Sequence, residues 1–291
     1  MDAAGLACLT VVNHVAVMTD STACLPEQLA EQWDIGIAQV QLHVGDRLDD
    51  EQRFARADLL AAMRAGQAVS TSPPDPGAFF WAYQDAMSRG ATAIVSIHIS
   101  GRMSATVEAA REAAQQVQIP VHVLDSGTTG MSLGFAALSA ARAAAAGAHP
   151  RRVIEAAEYR FRTSKELLYV DTLEYLKRSG RIGSAQAMVG SALSLKPLLT
   201  VREGEVAPLS RVPGRRRALN KLVDLATKEA RGKPVDVALV RFGDDERVLE
   251  LAEQLRHRMP QVRETMTLEA STIIGAHVGP GALGITVSPA G

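Results

Sequence analysis

Apolar residues recur along this chain in short blocks, separated by turns that contain Ser, Asp or Gly. In the first half, apolar runs predict strands at residues 14–19, 37–44, 93–99 and 121–124. Helical patterns fall at residues 58–65, 78–88, 104–118 and 136–146. Strands that end in Asp-Ser or Ser-Gly and lead into helices are typical of a parallel, doubly wound α/β sheet.

The second half has a different pattern. It predicts helices at residues 151–162, 173–177, 185–195, 215–230 and 244–258. It predicts strands at residues 166–170, 197–201, 205–209, 236–242, 262–268 and 284–287. Closely spaced short strands favour a mixed sheet with antiparallel pairs. We therefore expect two domains, an N-terminal parallel α/β domain over residues 1–160 and a C-terminal mixed α/β domain over residues 161–291.

Charge is nearly balanced, with 31 Lys and Arg against 32 Asp and Glu and a formal net charge of −1. A nucleic-acid-binding domain is usually strongly basic, so we expect no nucleic-acid partner. One local exception lies at residues 211–221, where five of eleven residues are Lys or Arg. This basic segment (residues 211–221) is either a solvated helix start or a docking patch for an acidic or phosphorylated partner.

Several features predict a soluble cytoplasmic protein without a metal site. Cys8 and Cys24 are too few for a disulfide framework or a Cys-based metal site. The seven His residues are scattered, without metal-ligand spacing. No Lys or Arg precedes the first apolar stretch, which argues against a secretory signal. The longest run without Asp, Glu, Lys, Arg or His, residues 126–141, is too short to span a bilayer.

The sequence lacks the phosphate-binding motif of nucleotide hydrolases and the helical motif of zinc proteases. Residues 279–284 match G-x-G-x-x-G, but they lead into an apolar ITV run that predicts a strand, whereas a dinucleotide site requires a helix there. The sequence has no G-x-x-x-x-G-K-[ST] and no H-E-x-x-H. We therefore predict no cofactor and no catalytic residue.

Candidate chemistry is confined to hydroxyl-rich turns and one histidine. Thr71 and Ser72 precede a Pro-Pro turn, and Ser100, Gly101 and Ser104 lie between a predicted strand and helix. His277 stands among glycines, which permit close backbone approach. Each feature alone is explained by helix capping or by a structural histidine. Together they resemble an anion cradle without a strong cation, which suits a carboxylate better than a polyphosphate.

The chain resembles the DegV family over nearly its whole length. The segments that carry the likeness, in the family's order, are residues 17–26 (VMTDSTACLP), 71–77 (TSPPDPG), 99–106 (ISGRMSAT), 123–126 (VLDS), 173–182 (LEYLKRSGRI), 195–197 (LKP) and 276–282 (AHVGPGA). The chain departs from the family at Pro73 and Asp75, and at Ala105 within residues 104–106. A carboxylate at residue 75 would repel a bound anion, so we expect Asp75 to face away or to cap the following helix.

The resemblance implies a lipid-binding function. DegV proteins bind a long-chain fatty acid in an apolar tunnel, and many present it to a separate ATP-dependent fatty acid kinase that forms an acyl phosphate. By position, the resemblance implies head-group contacts from Thr71, Ser72, Ser100, Gly101 and His277. Its implied secondary contacts are Ser104, Arg181 and Gly279. Arg181 would bind the acyl phosphate, contact the kinase or form a structural ion pair. The resemblance also implies transient contact with a membrane or an acyltransferase.

Two other functional classes remain open. A lipid hydrolase or acyltransferase would use Ser21 or Ser100 as nucleophile and His277 as base, oriented by Asp20 or Asp125. A regulatory or scaffolding protein would instead use the basic segment, around residues 215–217, to bind its partner.

Overall fold

The structure is a computed structural model that describes residues 14–190, 194–230, 232–243 and 247–290. Cys8, the N-terminal stretch and the predicted helix start at residue 244 lie outside these ranges. Among the described residues, no helix is long and apolar enough to cross a membrane.

The described part of the chain contains thirteen strands and ten α-helices. The strands are β1 (Val15–Asp20), β2 (Ile35–Ala38), β3 (Gln41–Val44), β4 (Arg47–Asp50), β5 (Val69–Ser72), β6 (Ala93–His98), β7 (Val121–Asp125), β8 (Lys165–Tyr169), β9 (Leu195–Arg202), β10 (Glu205–Pro213), β11 (Val235–Phe242), β12 (Val262–Glu269) and β13 (Ala282–Pro289). The helices are α1 (Glu27–Gln32), α2 (Arg56–Arg64), α3 (Pro76–Ser88), α4 (Thr106–Ala114), α5 (Gly130–Ala145), α6 (Pro150–Thr163), α7 (Glu174–Arg178), α8 (Arg215–Ala230), α9 (Arg247–Arg258) and α10 (Thr272–Val278).

The first sheet is parallel and has the order β2-β1-β6-β7. Strand β6 is buried at every position, since helices cover both faces of the sheet. Ile94 packs toward α3 and α4, whereas Val95 and Ile97 pack toward α5 and α6. This arrangement confirms the predicted doubly wound α/β fold of the first half.

A small antiparallel sheet, β4-β3-β5, is inserted into this first half and was not predicted. The single strand predicted over residues 37–44 is wrong, because β2 ends at Ala38 and β3 begins at Gln41 in another sheet. Apolar alternation continues through the break, so periodicity cannot show where the chain changes sheet. Strand β5 extends to Ser72, so Thr71 and Ser72 lie in a strand directly before the Pro-Pro turn. Asp75 caps α3 by accepting from Gly77 N, as expected.

The second sheet is mixed, with the order β10-β9-β8-β13-β11-β12. Its β11–β12 pair is parallel and the other neighbouring pairs are antiparallel, which confirms the predicted mixed α/β second half. Helices α8 and α9 cover one face. The other face packs toward α5, which therefore lies between the two large sheets.

The helix predicted over residues 185–195 is wrong. Residues 183–188 form a short 3₁₀ helix, and Leu195 already belongs to β9. Gly190 takes a φ of +84°, which is incompatible with a continuing right-handed α-helix.

Helix α10 was missed because it is a seven-residue apolar segment without a longer periodic pattern. Ser271 caps it by accepting from Ile274 N, and the helix ends at Gly279 with a φ of +82°. The chain then enters β13, so the glycine-rich segment leads into a strand, as expected. We propose that the domain boundary lies at Ser164, between α6 and β8.

Candidate functional site

A narrow cavity of about 120 Å³ lies between α5, α10 and the face of the second sheet. Its apolar wall includes Met103, Met131, Leu168, Val240, Phe242 and Ile274. Exposed Arg181 also lines the cavity, so this part of the wall reaches the protein surface. The cavity can therefore accommodate an apolar group that enters beside a cation.

Two residues predicted from sequence meet in this wall. Thr71 Oγ1 lies 2.9 Å from His277 Nε2, and both residues line the cavity. Thr71 is placed by β5, where it pairs with Leu42 of β3, and His277 is placed by the last turn of α10. Tertiary packing thus joins residues that are 206 positions apart.

The imidazole of His277 is neutral at neutral pH. Burial lowers its pKa to about 4, and the positive charge of Arg181 acts in the same direction. The Nδ1 atom is buried and has no hydrogen-bond partner among the described residues. Since a buried polar atom without a partner is costly, His277 can provide a hydrogen bond to a polar ligand group.

We expect this shifted pKa to make stability pH-dependent. The unfolded chain binds a proton at His277 near the ordinary pKa of 6.5, whereas the folded chain does so only near 4. Stability is therefore lost as the pH falls from 6.5 toward 4, by about 2 kcal/mol between pH ~7 and ~5. Urea unfolding of wild type and His277→Gln over this range measures the loss. Equal pH slopes for both proteins would contradict the prediction.

Glu51 holds the start of α10. This buried carboxylate accepts from the backbone N–H groups of Thr272 and Ile273, although burial raises its pKa. The interaction ties the segment after β4 to the helix that carries His277. The sequence contained no local signal for it, because the two ends are more than 200 residues apart.

Ser104 and Arg181 also line the cavity. Ser104 Oγ lies 2.8 Å from Thr106 Oγ1. The Arg181 guanidinium donates to the carbonyls of Met103 and Ser179, and within the described ranges it contacts no carboxylate. The structural ion pair considered for Arg181 is therefore not formed among these residues.

Ser72 does not line the cavity, which corrects the predicted grouping. Successive residues of a strand point to opposite faces, so Ser72 faces away when Thr71 faces the cavity. Its hydroxyl donates to Gln41 Oε1 at 3.3 Å and lies 3.0 Å from His43 Nε2.

Ser100 and Gly101 are also outside the cavity wall. Ser100 is buried and donates to the carbonyl of Gly204 at 2.7 Å, so its hydroxyl is already used in joining the two halves of the chain. It borders a separate polar cleft of about 470 Å³. The Gly101 N–H donates to Asp125 Oδ1.

Gly279 likewise lies outside the wall and packs against the ring of Tyr175. A β-carbon at residue 279 would lie 2.2 Å from Tyr175 Cδ2, so close packing requires glycine here. The position of Gly279 therefore does not support the expected secondary contact with a ligand.

Sequence reasoning missed five polar residues of the wall: Thr22, Thr129, Glu166, Thr200 and Arg241. Glu166 had a detectable signal, because it is an acidic residue in an otherwise apolar strand pattern. The three threonines had none, since threonine is common in strands and at helix starts.

The structure does not assemble the alternative Ser-His-Asp set. Asp20 pairs with His98 rather than with His277, and Ser21 Oγ accepts from Val40 N. Asp125 binds the backbone of Gly101 and Gly127. The geometry therefore does not support hydrolysis by these residues.

A fully buried set of Asp20, His98 and Ser96 resembles a triad in its order of contacts. Ser96 Oγ lies 2.7 Å from His98 Nε2 and 2.9 Å from the hydroxyl of Tyr83. All of these side chains lie within the first sheet and its helices, without surface exposure. They form a structural network that a substrate cannot reach.

The basic segment (residues 211–221) includes the start of helix α8, as one of its two interpretations predicted. Arg215 is the first residue of α8, and its guanidinium pairs with Asp171. Arg216 and Arg217 are exposed. A docking role for these two residues stays a prediction.

Comparisons with known proteins agree with this architecture. The family model described as "Uncharacterised protein, DegV family" matches residues 14–290. A DegV domain-containing protein of Streptomyces coelicolor is 41% identical over 277 residues, covering 95% of this chain and 99% of the relative.

Two solved structures are similar over their full length. One, described as "Fatty Acid Binding of a DegV family Protein from Thermus thermophilus", has a TM-score of 0.90 at 29% identity and covers 95% of this chain and 100% of the other. The other, "DegV, a fatty acid binding protein from Bacillus subtilis", has a TM-score of 0.87 at 29% identity, with 96% and 100% covered. The family match covers both large sheets and the residues that line the cavity. The chain therefore belongs to the DegV family.

Proposed function

We propose that this protein binds a long-chain fatty acid, with its alkyl chain in the cavity and its carboxylate beside Thr71 and His277. The observation that carries the proposal is the unpartnered Nδ1 of a neutral, buried histidine in a mostly apolar cavity. The fatty acids described for the Thermus and Bacillus relatives support this choice of ligand.

Apolar burial would provide the affinity. Each methylene buried in the apolar part of the cavity contributes about 0.8 kcal/mol. Association costs at least ~4 kcal/mol in lost freedom. The polar pair orients the head group, because a buried carboxylate without partners is strongly disfavoured. Arg181, on the exposed part of the wall, would add a cation for an acyl phosphate.

We further propose that the protein is a carrier. It would present the bound acid to a separate ATP-dependent fatty acid kinase and contribute no catalytic residue. Neutral donors suit this role, since release or phosphorylation of the carboxylate would not require breaking a tight ion pair. The exposed Arg216 and Arg217 are candidates for the kinase contact.

Substitution of the polar pair tests the head-group assignment. We expect His277→Gln and Thr71→Val each to weaken fatty acid binding by about tenfold or more, because each removes a hydrogen bond to a charged group. Titration of delipidated protein with a long-chain fatty acid measures this. Native mass spectrometry of the freshly purified wild type should detect a co-purified fatty acid.

Ser72→Ala is the matched control, since Ser72 neighbours Thr71 but faces away from the cavity. It should bind like wild type. With kinase and ATP added, acyl phosphate should form with wild type and Ser72→Ala, and more slowly with His277→Gln. Unchanged binding by both His277→Gln and Thr71→Val would refute the head-group site, and absence of fatty acid binding by wild type would refute the function.

A further inference from the structure

A second polar site lies in the cavity wall at Glu166. Its Oε1 accepts from the backbone N–H of Ser132 at 2.6 Å, in the first turn of α5. Its Oε2 lies 2.9 Å from the hydroxyl of Thr286. Gly130 permits this approach, because a β-carbon there would lie 3.3 Å from Oε1. Glu166 thus joins α5 to the second sheet and borders the cavity.

This site is distant from the Thr71–His277 pair along the strand direction. Strand β13 begins at Ala282, shortly after α10, and Thr286 of the same strand pairs with Glu166 of β8. Four residues separate Ala282 from Thr286, which corresponds to about 13 Å at ~3.3 Å per residue. Ala282 and Glu166 both line the cavity, so the cavity extends over this distance.

Thr129 provides the second polar group at this site. It immediately precedes Gly130 and lines the same cavity, and its hydroxyl is buried without a partner among the described residues. It makes no side-chain capping bond to α5. The hydroxyl of Thr200, by contrast, already donates to the carbonyl of Glu166.

A plain alkyl chain cannot satisfy these groups. It would leave the Thr129 hydroxyl unpaired and would shield the Glu166 carboxyl from water, and both effects are unfavourable. A hydroxyl on the ligand can do both tasks at once, because it can donate to the carboxyl and accept from Thr129. A ketone could only accept, so it matches half of the site.

We infer that Thr129 and Glu166 form a subsite for a hydroxyl group on the acyl chain, so that the cavity favours hydroxylated fatty acids with the hydroxyl remote from the carboxylate. This inference rests on the proposed fatty acid function and specifies its ligand class.

Competitive titration of delipidated protein with stearate and a positional series of hydroxystearates tests the inference. We expect one or a few adjacent hydroxyl positions to bind about tenfold more tightly than stearate, as one added hydrogen bond to a carboxyl group provides. Thr129→Val should abolish this preference without weakening stearate binding, since the substitution is nearly isosteric and removes a hydroxyl that a plain alkyl chain would leave unpaired.

Thr227→Val is the matched control, because Thr227 lies on α8, away from the cavity, and bonds only to the Val223 carbonyl. It should retain the preference for the hydroxylated acid. Equal binding of stearate and every hydroxystearate would overturn this inference alone, as would a preference that survives in Thr129→Val. Absence of binding by all of these acids would instead refute the proposed function.

Discussion

Replacing Gly284 with leucine should weaken fatty acid binding at least about a thousandfold while preserving the fold. Gly284 lines the cavity in the middle of β13, between Val240 and Leu168 on the neighbouring strands. A leucine side chain there would occupy the space proposed for the alkyl chain. Excluding five methylenes costs about 4 kcal/mol, which corresponds to about a thousandfold in affinity.

The fold should tolerate this change. A β-carbon at residue 284 would meet its nearest neighbours, Leu167 O and Val240 Cβ, at 3.8 and 3.9 Å, which are ordinary contacts. Gly284 does not take a positive φ, so a larger residue does not strain the backbone.

A size series makes the experiment internally controlled. Gly284→Ala, Gly284→Val and Gly284→Leu should bind the fatty acid progressively more weakly in the same titration. Thermal unfolding, followed by circular dichroism, checks that each variant is folded. If Gly284→Leu remains folded and binds like wild type, the alkyl chain does not occupy this cavity.

Asp20→Asn should lower the free energy of unfolding by about 3 kcal/mol. The buried carboxylate accepts from both the N–H and the hydroxyl of Thr22 at Oδ1, and from Ile99 N at Oδ2. Asparagine accepts at only one end, and its NH₂ group would face a donor at the other. Each buried donor left unpaired costs about 1–3 kcal/mol. Thr22 and Ile99 line the cavity, so this network also supports its wall.

Asp125→Asn is the matched control for urea unfolding. Asp125 is exposed, and its Oδ1 alone accepts from Gly101 N and Gly127 N, which an asparagine oxygen can replace. Its effect should stay within about 0.5 kcal/mol. Similar losses for the two variants would mean that Asp20 is not a central structural residue.

The family and the strand pattern could be recognised from sequence because both depend on local order. The block at β6 is apolar enough to be buried on both faces, and its Ser-Gly ending predicts the turn that follows. Errors arose where local pattern is weak: β4 (Arg47–Asp50) is mostly charged, and α10 is too short for helical periodicity. Such elements are stabilised mainly by packing against other elements.

The candidate site was only partly predictable, since hydroxyl residues look alike in a sequence. Thr71 and Ser72 are adjacent and chemically similar, yet only Thr71 lines the cavity. Ser100 seemed equally suitable, but it bonds to a carbonyl 104 residues away. Which group each hydroxyl binds is decided only by the folded structure.

The sequence by itself determined the α/β class and the family, and it placed Thr71 and His277 among several candidate site residues. These conclusions follow from apolar periodicity and from motif order, which are local properties. Only the tertiary structure decided that Thr71 meets His277 and that Glu166 borders the same cavity. The physical reason is that side-chain direction depends on which face of a strand or helix is covered by distant parts of the chain.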